Sequence, residues 1–411
     1  METIDYERIC ACALGEIFGY EPHYGLELMC RFGSAAAVFG DKCAADFGIG
    51  GPSLPGKPSA AEGLLPPKHR GKLTAQALEK AAVRLKELHA RGCTFIAWSE
   101  PAYPPLLKEC PDAPAGLYLR SDTPPESIFR NCAEAMDAIA IVGTRDISPY
   151  GRLYTHKIVE SIAASPAKPL IVSGLAIGVD ICAHIAALEN GIGTIAVLPC
   201  GIDSVYPNAH RRAAERIASS PGSAIITDYP PGTAPMQHTF VRRNRIIAGI
   251  ARACIVVESK ARGGSLITAR HALDYNRDIY ALPGRIDDFR SQGCNELIRN
   301  HFADIITSPE TLAESLGLRS LGGFGRREKE PREAKIRSLL EQKDDTNNLA
   351  MPIIRIIRDN CGISIERIAD CLKRPYPEVL RTVGMLRCDG IITMDLCQRC
   401  SIAPEHAAKN G

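Results

Sequence analysis

Ala138-Ile-Ala-Ile-Val-Gly-Thr-Arg145 decides the fold: five apolar residues in unbroken succession end at Gly143, with a hydroxyl and a cation just beyond. So short an apolar run, closed by glycine and without alternation, reads as a strand buried on both faces. The unit then repeats. Apolar runs at 170–173, 194–198, 224–227, 253–258 and 278–282 alternate with helical patterns at about 152–164, 179–190, 209–219, 239–251 and 265–275. This alternation predicts an α/β domain, a doubly wound, mostly parallel sheet with helices on both faces. Glycine or a polar turn follows each strand, at the edge where open sheets of this kind bind ligands.

Outward from this core, 411 residues with 45% hydrophobic and 23% charged predict two to three domains. Ile4, Ile9, Cys10, Ala13 and Leu14 recur at helical spacing and predict a small helical module over 1–66, ending in a Gly- and Pro-rich loop at 48–67. An amphipathic helix at 74–91 and a short strand at 93–98 follow, and Tyr103-Pro-Pro-Leu-Leu and Leu117-Tyr-Leu-Arg read as rigid extended segments. The sheet domain is expected over 67–318 with its core at 136–310. A Gly-rich, charged linker occupies 319–331. Helical patches at 333–340, 352–359, 364–371 and 378–388, then a turn and β pair from Asp389, predict a winged-helix module over 332–403.

Charge is concentrated. From Gln237 to Arg277 eight Lys/Arg face only Glu258 and Asp274, although the whole chain carries +2. A local excess of that kind points to a polyanionic ligand. No apolar run approaches the roughly 18 residues of a membrane span, and the polar start predicts a cytoplasmic protein. Sixteen cysteines, Cys182, Cys200 and Cys254 among them in apolar runs, read as small core residues in a reducing compartment. Cys397-Gln-Arg-Cys400 has metal-like spacing but lacks a second ligand pair, so no metal is expected.

Four turns carry the chemistry. Gly143 lets a backbone approach a phosphate while Arg145 offers a charge-assisted bond; the plainer reading is a simple turn with a solvated arginine. Ser173-Gly-Leu-Ala-Ile-Gly-Val-Asp180 opens a helix where amides and a small hydroxyl meet an anion. Its Asp180 is either a catalytic carboxylate or a helix cap, and His184 is read as packed. Phe240 beside Arg242, Arg243 and Arg245 offers a ring for stacked bases among cations, or is merely buried. Gly263-Gly-Ser-Leu-Ile-Thr-Ala269 presents a further helix start. Neither the dinucleotide fingerprint nor the P-loop lysine is present, so no cofactor is expected.

In order, VGTR at 142–145, SGLAIGVDICAH at 173–184, G-x-D-x-x-YP at 201–207, F-x-x-RNRIIAGI at 240–250, GGSLITA at 263–269 and LPG at 282–284 resemble the DNA-processing protein A (DprA/Smf) family. The resemblance reaches back to Tyr103 and forward into the carboxy-terminal module, and the amino-terminal module is similar to the sterile-alpha-motif-like or helix-hairpin-helix segment of longer members. It implies a Rossmann-like core that binds single-stranded DNA without chemistry, forms a homodimer, protects incoming DNA in natural transformation and loads the RecA recombinase. Carried over by motif, the DNA-binding residues are Arg145, Ser173, Gly174, Phe240, Arg243, Asn244, Gly264 and Ser265. Arg145 and Arg243 take phosphate, Phe240 takes a base and Asn244 holds the loop. Val241 stands where proline is usual and Gly263 where serine is usual.

The competing reading is a nucleotide-processing enzyme of related Rossmann-like architecture that hydrolyses N-glycosidic bonds, with Asp180 or Glu258 as its carboxylate. A duplex-binding regulator is disfavoured because the expected recognition helix at 378–388 carries only Arg381 and Arg387 as basic residues.

Overall fold

The computed structural model describes residues 5–46, 61, 63–129, 138–318, 349–360, 363–388, 391–394 and 399–402. It divides into two compact units, Met1–Leu321 and Gly322–Gly411. The expected linker at 319–331, the helical patch at 333–340, the turn at Asp389 and Cys397 lie outside the described residues.

In the first unit the strands are β1 (Cys93–Ala97), β2 (Gly116–Arg120), β3 (Ala138–Val142), β4 (Leu170–Ser173), β5 (Thr194–Val197), β6 (Ala224–Thr227), β7 (Ala253–Val256), β8 (Asp278–Ala281) and β9 (Asp304–Ile305). They form one sheet in the order β1-β2-β6-β5-β4-β3-β7-β8-β9. From β6 to β9 every neighbouring pair is parallel, while β1 and β2 add an antiparallel edge. β3 and β5 to β7 are buried at every position, as their unbroken apolar runs require.

The helices are α1 (Tyr6–Phe18), α2 (Pro22–Phe32), α3 (Ala35–Asp46), α4 (Ala75–Ala90), α5 (Pro105–Lys108), α6 (Pro125–Phe129), α7 (Pro149–Ala163), α8 (Val179–Glu189), α9 (Arg211–Ser219), α10 (Gln237–Ile250), α11 (Ser265–Asp274), α12 (Gln292–Arg299) and α13 (Pro309–Ser315). The chain runs β3 to β6 in one direction and returns through α10 to place β7 on the other side of β3. Strand order therefore reverses between β3 and β7, and the crevice beyond their carboxyl ends is the ligand-binding position of such sheets. Ile246, Ile247, Ala248 and Ile250 bury the rear of α10. Gly249 permits the close approach of α5, since a side-chain carbon there would lie 2.6 Å from Leu107 Cδ1.

One of the two segments read as rigid and extended is not extended, and the other is extended as part of the sheet. Pro105–Lys108 is a turn of helix against α10, because proline at a helix start loses no hydrogen bond. Leu117–Arg120 lies within β2, which pairs with both β1 and β6. The amino-terminal helices share a core with the sheet: Leu14, Phe18 and Phe39 join Leu78, Leu85, Phe95 and Tyr118 in one buried cluster.

The second unit holds α14 (Ala350–Asp359), α15 (Ile365–Leu372) and α16 (Tyr376–Cys388) with strands β10 (Ile363–Ser364), β11 (Ile392–Met394) and β12 (Arg399–Ile402). The strands form an antiparallel sheet ordered β10-β12-β11. Ile353, Ile357, Ile368, Val379, Val383 and Leu386 form its core with the buried Cys400. Among the described residues no helix is long and apolar enough to cross a membrane, and no group of three or more His, Cys, Asp or Glu is arranged to hold a metal ion.

Candidate nucleic-acid interface

A cavity of about 280 Å³ opens at the β3/β7 reversal. Gly143, Thr144 and Arg145 from the end of β3, Ser259 and Lys260 following β7, Phe240, Arg243 and Asn244 from α10, and Gly263 to Ser265 at the start of α11 line it, with Asp180 and Ala176 beside them. Four segments far apart in sequence thus meet at one edge of the sheet.

Arg145 is exposed, and its guanidinium lies 5.1 Å from the centre of the half-buried Phe240 ring. Tyr206, 41% exposed, meets Phe240 edge-on at 5.2 Å between ring centres. A cation over one aromatic ring with a second ring beside it forms a mixed polar and apolar lip. Lys260 adds a second exposed cation to the cavity wall.

Arg243 behaves differently from the phosphate contact expected of it. It is 4% exposed, and one guanidinium nitrogen donates to the Gly174 carbonyl at 2.6 Å and also to the Val197 carbonyl. Its Nε donates to Asn244 Oδ1 at 3.2 Å. The side chain thus ties α10 to the carboxyl ends of β4 and β5. Burial pushes its pKa down to about 10 against the opposing pull of Asp180, with the nearby Arg145 charge lowering it further. Gly174 is required here, since a side-chain carbon would lie 2.5 Å from the guanidinium nitrogens.

Asp180 is neither helix cap nor exposed catalytic acid. Its Oδ2 accepts from the amides of Gly174 at 3.1 Å and Ala176 at 3.4 Å, closing the turn that precedes α8. Two amides expected to meet an anion are therefore already occupied. Burial raises the Asp180 pKa, opposed by Arg243 and those amides. Thr144 N is likewise committed, donating to the Glu258 carbonyl at 2.7 Å. The exposed positive charge of the cavity lining is carried by the side chains of Arg145 and Lys260.

Ser173 lies outside the lining. It is fully buried and its hydroxyl donates to the Ile141 carbonyl at 2.6 Å, bracing β4 against β3. Gly174 acts through its carbonyl, Gly264 has open space where a side chain would stand, and Ser265 donates to Ser259 Oγ at 2.9 Å while facing the cavity. Asn244 Nδ2 reaches the Gly264 carbonyl at 3.5 Å, linking α10 to the glycine loop.

The other arginines of α10 are also engaged within the chain. Arg245 is buried against Asp228 and donates to the Asp112 carbonyl. Arg242 donates to the Gly19 carbonyl and stacks 4.8 Å above Tyr20. Glu258, the alternative catalytic carboxylate, is 1% exposed and accepts from both Ser148 N, at 2.9 Å, and Ser148 Oγ. Its carboxylate clamps the start of α7, and Glu258 is not among the residues that line the cavity. His184 is fully buried, with Nδ1 2.7 Å from Thr194 Oγ1.

The model of the DNA recombination-mediator protein A family matches residues 94–317. The chain belongs to that family. It is 38% identical over 212 residues to the DNA processing protein DprA of Streptococcus pneumoniae, covering 52% of this chain and 71% of that protein. Protein Smf of Synechocystis is also 38% identical, over 247 residues, covering 60% of this chain and 59% of the relative. The match to Smf of Escherichia coli, at 37% identity, spans 54% of that protein. The X-ray structure of the pneumococcal DNA processing protein A aligns with a TM-score of 0.56 and 28% identity, covering 76% of this chain and 99% of the other. The mixed α/β, mostly parallel, Rossmann-like architecture is shared.

Lys260 and Tyr206 went unselected in the sequence. Lys260 stands three residues before the Gly-Gly pair and is legible as part of that loop, whereas the nearness of Tyr206 to Phe240 follows only from the β5 and β6 connections.

Proposed function

We propose that this chain binds single-stranded DNA at the β3/β7 cavity and acts as a recombination mediator without catalysing a reaction. The pairing of exposed Arg145 with the Phe240 ring carries this reading. Unstacked bases offer a face to an aromatic ring and a phosphate to the adjacent cation, whereas duplex DNA keeps its base faces hidden. Arg145, Lys260 and Phe240 supply the contacts; Arg243, Asn244, Gly264 and Ser265 shape the wall, and Gly174 anchors Arg243 from behind it. Hydrolysis of an N-glycosidic bond lacks a free carboxylate at the cavity, since Asp180 and Glu258 are held by backbone amides and Ser148.

Membership of the family supports further assignments: loading of RecA onto the bound strand, protection of incoming DNA in transformation, a homodimeric state and a cytoplasmic location. The helices and antiparallel sheet of the second unit support a winged-helix assignment for 332–403, and α1 to α3 support a sterile-alpha-motif-like or helix-hairpin-helix assignment for 1–66, with the sheet domain at 67–318.

Fluorescence anisotropy with oligothymidylate and with duplex of equal length, over a salt series, tests the central claim. Single strand is expected to bind more tightly, with affinity falling steeply as salt rises. Arg145→Ala and Phe240→Ala variants that fold yet bind single strand as tightly as the parent would overturn the site. A filament assay with RecA and a single-strand binding protein tests loading.

A further inference from the structure

The rim of the cavity continues past the residues matched by family motifs. Phe289 lies in the connection between β8 and α12, is 44% exposed, and belongs to none of the hydrophobic clusters of the described residues. Two cations flank it: Lys260 Nζ stands 5.0 Å and the Arg290 guanidinium 4.5 Å from the ring centre. Both are joined to the cavity. Lys260 is part of its wall, and Arg290 grips Asp146, donating from Nε to the carbonyl and pairing with the carboxylate, each at 3.1 Å. Arg290 also faces Asp288 at 3.8 Å. Asp146 follows Arg145 directly, and Arg145 covers Phe240.

Two ring-and-cation groups therefore share one rim, Tyr206 and Phe240 with Arg145 and, joined to it through Asp146, Phe289 with Arg290 and Lys260. Nothing in the packing of the sheet calls for an aromatic side chain at 289. What sets this ring apart from other exposed apolar side chains is that two cations hold it at a fixed place on the cavity edge.

We propose that a single strand leaving the cavity crosses Phe289, which serves as a second base-stacking station. Lys260 neutralises the phosphate between the two stations. Arg290, its charge shared with Asp146 and Asp288, holds the ring in position. The proposal rests on the single-stranded DNA reading above.

The test measures binding of the full chain to oligothymidylates of roughly four and roughly sixteen nucleotides, the range of site sizes seen in single-strand binders. Phe289→Ala is expected to weaken the longer oligomer by roughly five- to a hundredfold and the shorter by less than about twofold, the loss typical of one stacked base. Phe289→Trp restores the longer oligomer, and Lys260→Ala lowers the salt dependence of its binding by about one phosphate. Parent-like binding of the longer oligomer by Phe289→Ala, an equal loss at both lengths, or no recovery with tryptophan would each overturn the second station. A parent that binds neither length would overturn the single-strand reading itself, and this proposal with it.

Discussion

Replacing Arg243 by alanine separates holding the fold from holding a ligand. Its guanidinium, 4% exposed, bonds the carbonyl that follows β4 and the one that ends β5, and its charge offsets that of the buried Asp180. Alanine would leave both carbonyls unpaired in the interior and remove the positive charge that offsets the burial of Asp180. Two buried acceptors left unsatisfied, at about 1–3 kcal/mol each, together with that lost charge cost about 3–5 kcal/mol. For a unit of this size, at about 2 °C per kcal/mol, the melting midpoint should fall by roughly 6–10 °C. Differential scanning calorimetry of the full chain measures the shift, with anisotropy on oligothymidylate run well below the transition. Asp180→Asn added to Arg243→Ala removes the stranded charge and should return part of the lost stability, a coupling that a simple ligand contact would not show. An Arg243→Ala variant melting within about 1 °C of the parent while losing DNA affinity would refute the reasoning and make Arg243 a phosphate contact.

Further outcomes follow from the same geometry. Phe240→Ala should lose roughly five- to a hundredfold in single-strand affinity with an unchanged melting midpoint, the loss expected of one stacked base. Gly178 has φ +92° and no room for a side chain against the Thr144 carbonyl, so Gly178→Ala should open the turn and lower the calorimetric midpoint by several degrees. Burial first, and then the Arg243 charge, depress the His184 pKa from 6.5 to about 3. Below pH 6.5 the unfolded chain therefore takes up a proton that the folded chain refuses. Stability from this residue is complete above that pH and declines as pH falls toward 3, by up to about 1.4 kcal/mol for each pH unit. Urea titrations from pH 7 to 4 should show a shallower decline in His184→Asn than in the parent; identical slopes would contradict this assignment.

The sheet was legible because buried parallel strands write themselves as unbroken apolar runs: β3, β4 and β6 begin and end at the residues their sequence predicts. Placing the motifs at one edge required only the rule that ligands bind beyond strand carboxyl ends. What the arginines do could not be read in the same way. Arg242, Arg243 and Arg245 look alike in sequence, yet each points in a different direction from α10, and their partners Gly19, Gly174 and Asp228 come from separate parts of the chain. Ser173 misled for a related reason: at a strand end, a hydroxyl can turn toward ligand or toward the neighbouring strand, and here it bonds Ile141. Leu117–Arg120 read as extended but not as a member of the sheet, because a short strand between proline-rich stretches carries no signal of its eventual partner.

The grip of α10 on the amino-terminal helices has an energetic consequence. Arg242 reaches Gly19 and Tyr20 from the same helix that presents Phe240 to the cavity, and Tyr20 also meets His238 at 5.8 Å. For a strand bound at the cavity as proposed, ordering the first turns of α10 against the Gly19–Tyr20 turn between α1 and α2 would lower the entropy to be removed from the cavity mouth. Such a relation is reciprocal: whatever steadies the cavity must, by the same free energy, tighten the seat of the amino-terminal helices.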